Sequence, residues 1–130
     1  MLVVTRHRLP LAGYAEPADA LAATRDLLAV LGGLPGFVRG WVARAVDDGD
    51  LMVLAHEWVD VGSYRRALSA YEVKLRWPLL MTAIDEPSAF EVLTLNDGAT
   101  SVDSPTGRAA DADVVGQGQA FAKVDRGVFG

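Results

Sequence analysis

Hydrophobic and polar residues alternate in two ways along the chain, and the two patterns predict strands and helices. The stretch 51–59 is apolar and rich in β-branched residues, as buried strands are. In the stretch that follows, Tyr64, Leu68, Tyr71 and Leu75 recur on one helical face. The chain as a whole predicts strand 2–9, helix 17–31, strand 37–46, strand 51–59, helix 61–77 and strand 89–95.

Turn and capping residues support these boundaries. Asp60 precedes the second helix as a predicted N-cap, with Ser63 three residues later. Pro17 suits the first turn of the first helix, and the glycine pair at 32–33 ends that helix. The Asp-Asp-Gly-Asp turn at 47–50 separates two strand patterns, which predicts a β-hairpin.

The order β-α-β-β-α-β predicts an α+β fold of the ferredoxin-like type, in which both helices cover one face of a four-stranded antiparallel sheet. In the second strand, simple alternation places Phe37 and Trp41 on one side and Val38, Val42 and Val46 on the other. Apolar side chains on both sides leave one face of the sheet exposed if only helices cover it. We therefore expect a homodimer that packs sheet face to sheet face.

Composition narrows the range of partners. The chain has 130 residues, a formal net charge of −5 and no cysteine. This length suits one domain, and an acidic balance without a basic run argues against nucleic acid. No apolar run reaches the roughly 18 residues of a membrane span, and the N-terminus shows no signal-peptide pattern. We expect a cytoplasmic protein without membrane contact.

The sequence shows no metal or phosphate motif. With no cysteine and only two histidines, the usual ligand clusters are absent. Asp47, Asp48 and Asp50 crowd a hairpin turn, which is the pattern of a turn and not of a metal site. The glycine pair at 32–33 ends a helix instead of opening one, so it is not a phosphate loop. We expect no metal.

The composition changes after residue 95. The segment 96–130 holds six of the 13 glycines and shows no sustained periodicity. We predict a domain at 1–95 followed by a tail at 96–130 that is extended or disordered. The apolar patches at 120–124 and 128–129 are candidates for a dimer arm.

Trp58 and Tyr64 define the candidate site. Trp58 ends the third predicted strand and Tyr64 opens the second helix, so we expect the two rings at one corner. His56 is on the Trp58 side of that strand and titrates near neutral pH, which makes it a candidate proton carrier. His7 on the first strand is a second candidate. The alternative interpretation is that these side chains only pack in the core, with Tyr64 and the histidines bonded to nearby polar groups.

Three more side chains are candidates for contact with a bound molecule. Tyr71 lies nearly above Tyr64, seven residues further along the helix. Trp77 and Met81 flank Pro78, which ends or kinks the helix, and they are candidates for a lid over the pocket mouth. Satellite core packing is the alternative for all three.

Around Trp58 the chain resembles the antibiotic biosynthesis monooxygenase family of dimeric α+β barrels. That family commonly shows a Trp at the end of its third strand, an acidic or small N-cap, and an aromatic residue six positions after the Trp. Trp58, Asp60 and Tyr64 match that pattern. The opening segment 3–8 and the helix exit at 34–37 also look like the family. The resemblance spans the predicted domain and leaves the tail unexplained.

The resemblance implies oxidation of a hydrophobic aromatic, polyketide-like substrate by dioxygen, with no metal, flavin or haem cofactor. The substrate's own phenolate would reduce dioxygen, while the protein supplies a dry pocket, proton transfer and stabilisation of the anion. The family surrounds the substrate with a Trp, a Tyr and an Arg, matched by Trp58, Tyr64 and Arg76. In the family an Asn assists these three residues. Leu54 occupies its position here and cannot supply the polar contact. Arg76 also lies four residues after Glu72, the spacing of a surface ion pair.

Two other functions stay open from the sequence. One is a non-catalytic ligand-binding or structural homodimer, in which the aromatic rings only fill a core. The other is haem binding. Family members that degrade haem use an Asn on the first strand and a Trp and a His on the second helix, at positions near His7, Ala67 and Trp77. None of the three matches, although His7 or His56 could ligate iron in another pose.

Overall fold

The computed structural model describes residues 1–104, and the predictions for residues 105–130 lie outside the described residues. The described chain divides into two compact units, one of Val3–Asp85 and one of Met1–Leu2 with residues 86–104. The elements in chain order are β1 Leu2–Arg8, α1 Pro17–Gly32, β2 Phe37–Arg44, β3 Leu51–Trp58, α2 Val61–Leu68, α3 Tyr71–Lys74, α4 Trp77–Leu80, β4 Ala89–Phe90, β5 Thr94–Asn96 and β6 Ser101–Asp103.

Strands β1 to β4 form a four-stranded antiparallel sheet of order β2-β3-β1-β4, which confirms the predicted α+β fold class. Residues of β3 alternate strictly between the two faces. Met52, Leu54, His56 and Trp58 are buried, whereas the residues between them are only half-buried. The buried set faces the helices, because a strand points successive side chains to opposite faces. β3 is therefore the strand that carries most of the core side of the sheet.

Helix α1 buries one stripe of side chains. Ala20, Thr24, Leu27 and Leu31 recur at intervals of three and four residues and are each about 1% exposed or less. Thr24 is tolerated there because its hydroxyl donates to the carbonyl oxygen of Ala20 over 2.8 Å. The stripe packs the helix on β2.

A β-bulge at the start of β2 overturns the predicted faces of that strand. The register shifts between Phe37 and Arg39, so that Phe37 pairs with Trp58 while Trp41 pairs with Ala55. Residues directly opposite each other share a face, so Phe37 lies on the helix side and Trp41 on the open side. The prediction that Phe37 and Trp41 share a side is therefore wrong, because one extra residue inverts the alternation.

The second helix is shorter than predicted. It ends at Leu68, and the predicted span to residue 77 is divided among α2, α3 and α4. Ser69 donates its hydroxyl to the carbonyl oxygen of Arg65 over 3.3 Å, and Ala70 adopts an extended conformation with ψ of 139°. A Ser that bonds back to the preceding turn weakens a helix, and no such signal shows in the apolar periodicity. The break turns Val73 inward and leaves Tyr71 exposed.

The second unit holds a small hairpin. The predicted strand 89–95 is interrupted after Phe90, and β5 pairs with β6 as a separate two-stranded antiparallel sheet. The turn between them is held by Asp97, whose Oδ1 accepts from the backbone N–H groups of Ala99 and Thr100 over 2.8 Å each. These hydrogen bonds lower the pKa of Asp97. The first part of the predicted tail is thus extended but paired.

A substitution at Gly36 tests how tightly α2 packs against the start of β2. The φ of Gly36 is +89°, and a Cβ there would overlap the Cβ and Oγ of Ser63. We expect Gly36→Ala to destabilise the protein by about 1–3 kcal/mol, from backbone strain and forced displacement of Ser63. Gly13→Ala is the matched control, because Gly13 has φ +88° and no atom within 4 Å of its added Cβ. Denaturant unfolding measures both, and equal losses in the two variants would contradict the close approach.

Candidate functional site

The predicted corner is present in the structure and contains four rings. We name Phe37, His56, Trp58 and Tyr64 the aromatic corner. The indole of Trp58 lies edge-on to Phe37 with ring centroids 5.4 Å apart, and Tyr64 lies 6.0 Å from Trp58 and 5.9 Å from His56. The β3 alternation places His56 and Trp58 on one face, and the β2 bulge brings Phe37 opposite Trp58. These separations are those of favourable aromatic pairs.

Helix α2 brings Tyr64 to the corner because it starts only three residues after Trp58. Asp60 caps the helix, as predicted, and its Oδ1 accepts from the backbone N–H of Ser63 over 2.7 Å. That hydrogen bond is the main reason why the pKa of Asp60 is lowered. The cap fixes the first turn of the helix, and so it fixes the position of the phenol ring.

Three of the four rings of the aromatic corner are closed to solvent, and Phe37 is half-buried. Trp58 is 1% exposed, His56 2% and Tyr64 8%. The indole Nε1–H of Trp58 donates to Nδ1 of His56 over 2.7 Å. Since an indole nitrogen can only donate, Nδ1 of His56 carries a lone pair and its proton is on Nε2. Burial lowers the pKa of His56 to about 3, so the ring is neutral at pH 7.

His7 is the second buried histidine of the same face of the sheet, and it lies between two threonines. Its Nδ1 is 2.9 Å from Oγ1 of Thr82, and its Nε2 is 2.9 Å from Oγ1 of Thr5. Thr82 gives its own hydroxyl hydrogen to the carbonyl oxygen of Leu79 over 2.6 Å, so it accepts from His7. Nδ1 is therefore the protonated nitrogen of the neutral ring, and Nε2 is its acceptor. The Thr5 hydroxyl lies 2.9 Å from Nε2 and 3.4 Å from its other acceptor, the carbonyl oxygen of Leu54, so the shorter bond is the one to Nε2. Burial lowers the pKa of His7 to about 4.

The remaining predicted residues do not converge on the corner. Leu54 is 1% exposed and shares the buried face with His56. Arg76 forms the predicted pair with Glu72 over 3.0 Å and a second one with Asp26 over 2.6 Å. The other three lie on the outer surface: Tyr71 is 71% exposed, Trp77 38% and Met81 70%.

Sequence reasoning missed three side chains of this region. Phe37 was hidden by the bulge, which no sequence signal marks. Thr5 shares strand parity with His7, and that spacing alone was the available signal. Thr82 lies 75 residues from His7 in the chain, so only folding brings the two together.

Two cavities open on the unit Val3–Asp85, and neither is lined by Trp58 or Tyr64. The larger has a volume of about 400 Å³ and lies at the hairpin end of β2 and β3. The smaller, of about 280 Å³, is lined by Met81 and by Thr82, the hydrogen-bond partner of His7. Because Trp58 and His56 are also nearly inaccessible, a guest can reach the aromatic corner only if side chains move.

Within residues 1–104, no group of three histidine or acidic side chains is arranged to hold a metal ion. In the same part of the chain, no helix is both long and apolar enough to cross a membrane.

The two buried histidines make a prediction about acid stability. The unfolded chain binds a proton at each ring near pH 6.5, whereas the folded chain binds one only near about 4 for His7 and about 3 for His56. Stability is therefore complete above pH 6.5 and falls with pH below it, by about 2 kcal/mol per histidine between about pH 7.5 and about pH 5. Carboxylates titrate mostly below this window.

His7→Gln and His56→Gln should each flatten that dependence by about half. The measurement is the denaturant midpoint of each variant against that of the parent protein at several pH values. Glutamine keeps an acceptor for the Trp58 indole and cannot be protonated. A variant that retains the full dependence would show that its histidine is charged, or exposed, in the folded protein.

No protein-family model matches the chain, and no curated protein matches its sequence. Solved structures do share its fold. SnoaB, a cofactor-independent oxygenase from Streptomyces nogalater, aligns with a TM-score of 0.56 and 25% identity, over 71% of this chain and 94% of SnoaB.

Two more distant structures show the same architecture. A conserved protein from Methanosarcina mazei Go1 aligns with a TM-score of 0.53 and 18% identity, over 68% of this chain and 84% of that protein. A Nitrosomonas europaea protein assigned to the antibiotic biosynthesis monooxygenases aligns with a TM-score of 0.51 and 15% identity, over 66% of this chain and 80% of that protein. The chain therefore has the fold of the antibiotic biosynthesis monooxygenase structures, as the sequence resemblance implies.

Proposed function

We propose that this protein is a cofactor-independent monooxygenase that oxidises a hydrophobic aromatic, polyketide-like molecule with dioxygen. The observation that carries the proposal is the aromatic corner, in which the Trp58 indole fixes the tautomer of His56 beside the buried ring of Tyr64. The fold is that of oxygenase structures, and SnoaB is described as a cofactor-independent oxygenase.

The proposed reaction needs no redox group from the protein. An electron-rich phenolate reduces dioxygen, one oxygen atom enters the ring carbon as a carbonyl, and the other leaves as water with the two hydrogens of that carbon. The protein would contribute a water-poor site, a proton donor and stabilisation of the anion. A neutral, buried histidine suits the last task, because its Nε2–H can donate to an oxyanion without carrying a charge itself.

The roles follow from position. In this proposal Trp58 packs on the substrate ring, Tyr64 donates or accepts a proton through its hydroxyl, and His56 orients the anion. His7 moves protons through its two threonine partners. Leu54, on the same face as His56, is the proposed floor of the site. The other proposed substrate contacts are Tyr71, Arg76, Trp77 and Met81, and they can serve only if the segment that carries them moves when the substrate binds.

A non-catalytic homodimer is the second candidate, and one observation favours it. The aromatic corner is filled, with Trp58 and His56 bonded to each other and nearly inaccessible. Rings packed in this way stabilise a core by themselves. In that case the corner holds no aromatic guest, and the open sheet face serves for dimerisation.

The open sheet face supports the proposed homodimer. Trp41 is 48% exposed there and lies opposite Ala55 in the β2–β3 register. On the same face, Arg39 forms a salt bridge with Glu57 over 2.9 Å. An exposed aromatic ring beside a charged pair is typical of the centre and rim of an interface. We infer that two copies pack these faces together.

Oxygen uptake tests the enzymatic proposal. We expect the protein to consume dioxygen with one or more anthrone-like phenols, and Tyr64→Phe to lower the rate by roughly 10²-fold, because a positioned proton donor contributes about that much. Tyr14→Phe is the matched control, since Tyr14 lies in the loop before α1. Unchanged uptake in both Tyr64→Phe and Trp58→Ala would overturn the site assignment. No uptake with any phenol of the panel would favour the non-catalytic dimer.

Sedimentation velocity tests the dimer. Trp41→Lys places a charge at the centre of the open face, so we expect the protein to sediment as a monomer. Val46→Lys is the control, because Val46 is fully exposed beyond the end of β2 and should leave the dimer intact. A parent protein that is monomeric at micromolar concentration would contradict this part of the proposal.

A further inference from the structure

The larger cavity has no role in the proposed oxygenase reaction. It has a volume of about 400 Å³, within the usual range for small-molecule sites. Its walls are mostly apolar and include two arginines and no acidic residue. Lining residues that matter here are Leu21, Arg25, Val42, Arg44 and Met52.

The local structure explains why these residues meet. Ala18, Leu21 and Arg25 recur at intervals of three and four residues, so they form one stripe of α1 beside its buried stripe. Arg44 pairs directly with Met52 at the far end of the β2–β3 ladder, on the face that carries the core. Trp58 is six residues from Met52 along β3, so the cavity lies about 20 Å from the aromatic corner.

The two arginines of the cavity have no acidic partner. Within residues 1–104, Arg25 and Arg44 form no salt bridge, whereas Arg8 and Arg39 each hold a carboxylate over 2.6 Å and 2.9 Å. In the acidic turn beside the cavity, Asp48 is the partner of Arg8. The guanidinium groups of Arg25 and Arg44 are thus available in a chain whose net charge is −5.

The N-terminal end of helix α1 also borders the cavity, through Pro17 and Ala18. The partial positive charge of that end is offset by two acidic residues, the N-cap Glu16 and Asp19 of the first turn. The positive character of the cavity therefore comes from the guanidinium groups of Arg25 and Arg44.

We propose that this cavity binds a small organic anion, a carboxylate with an apolar body. The body lies against Leu21, Val42 and Met52, and the carboxylate is held by Arg25 and Arg44. Planar guanidinium groups match a carboxylate through paired hydrogen bonds. A neutral ligand of the same shape gains only the apolar contact, so the site discriminates by charge.

The test uses 1-naphthoate, with 1-naphthalenemethanol as its neutral counterpart. Methyl NMR spectra of the full-length protein are recorded during titration with each. We expect 1-naphthoate to shift the methyl signals of Leu21, Val42 and Met52, and 1-naphthalenemethanol to bind on the order of tenfold more weakly. Added salt should weaken the binding of 1-naphthoate and leave the binding of 1-naphthalenemethanol unchanged. No shift of these methyls at millimolar 1-naphthoate would overturn the proposal.

Matched variants separate this site from non-specific attraction. The double variant Arg25→Gln/Arg44→Gln should bind 1-naphthoate about tenfold more weakly than the parent protein does. Its affinity for 1-naphthalenemethanol should be unchanged. Arg65→Gln, an exposed arginine of α2 that does not line the cavity, should change neither. Equal weakening by the control would overturn the proposal. The result does not depend on oxygen uptake, because the cavity and the aromatic corner share no residue.

Discussion

The register in which β2 pairs with β3 sets the positions of both the aromatic corner and the larger cavity. At one end it brings Phe37 against Trp58, and at the other it brings Arg44 against Met52. The first pair closes the aromatic corner, and the second forms a wall of the larger cavity. One bulged residue between these pairs decides which side chains face the helices. Without it, Trp41 would turn toward α1, where Gly40 now lies against Leu28.

The same ladder separates two environments of opposite character. Trp58, His56 and Tyr64 of the aromatic corner are buried, and the Trp58 indole donates to His56. The hairpin end is open and apolar, with cationic groups that lack acidic partners. A reaction that excludes water suits the first, and recognition of an anion by charge suits the second. The two proposals therefore rest on different residues and different physics.

Both histidines, His7 and His56, are buried and uncharged. Each ring meets hydrogen-bonding partners that suit its neutral form: an indole N–H for His56 and two hydroxyl groups for His7. A protonated ring would need a counter-charge, and desolvation is the cause that lowers both pKa values. These rings can orient donors and acceptors at neutral pH, whereas a positive charge on either would destabilise the fold.

The sequence was sufficient to predict the α+β sheet, the Asp60 cap and the meeting of Trp58 with Tyr64, because each depends on local spacing or on neighbours in the chain. The Arg76–Glu72 pair also follows from their spacing of four residues, although Arg76 lies just outside α3. The sequence did not reveal the bulge that moves Phe37 inward, the helix break that exposes Tyr71, the Thr82 contact of His7 or the cavity beside Arg25 and Arg44. Each of these arises from packing between residues far apart in the chain, where local periodicity carries no information.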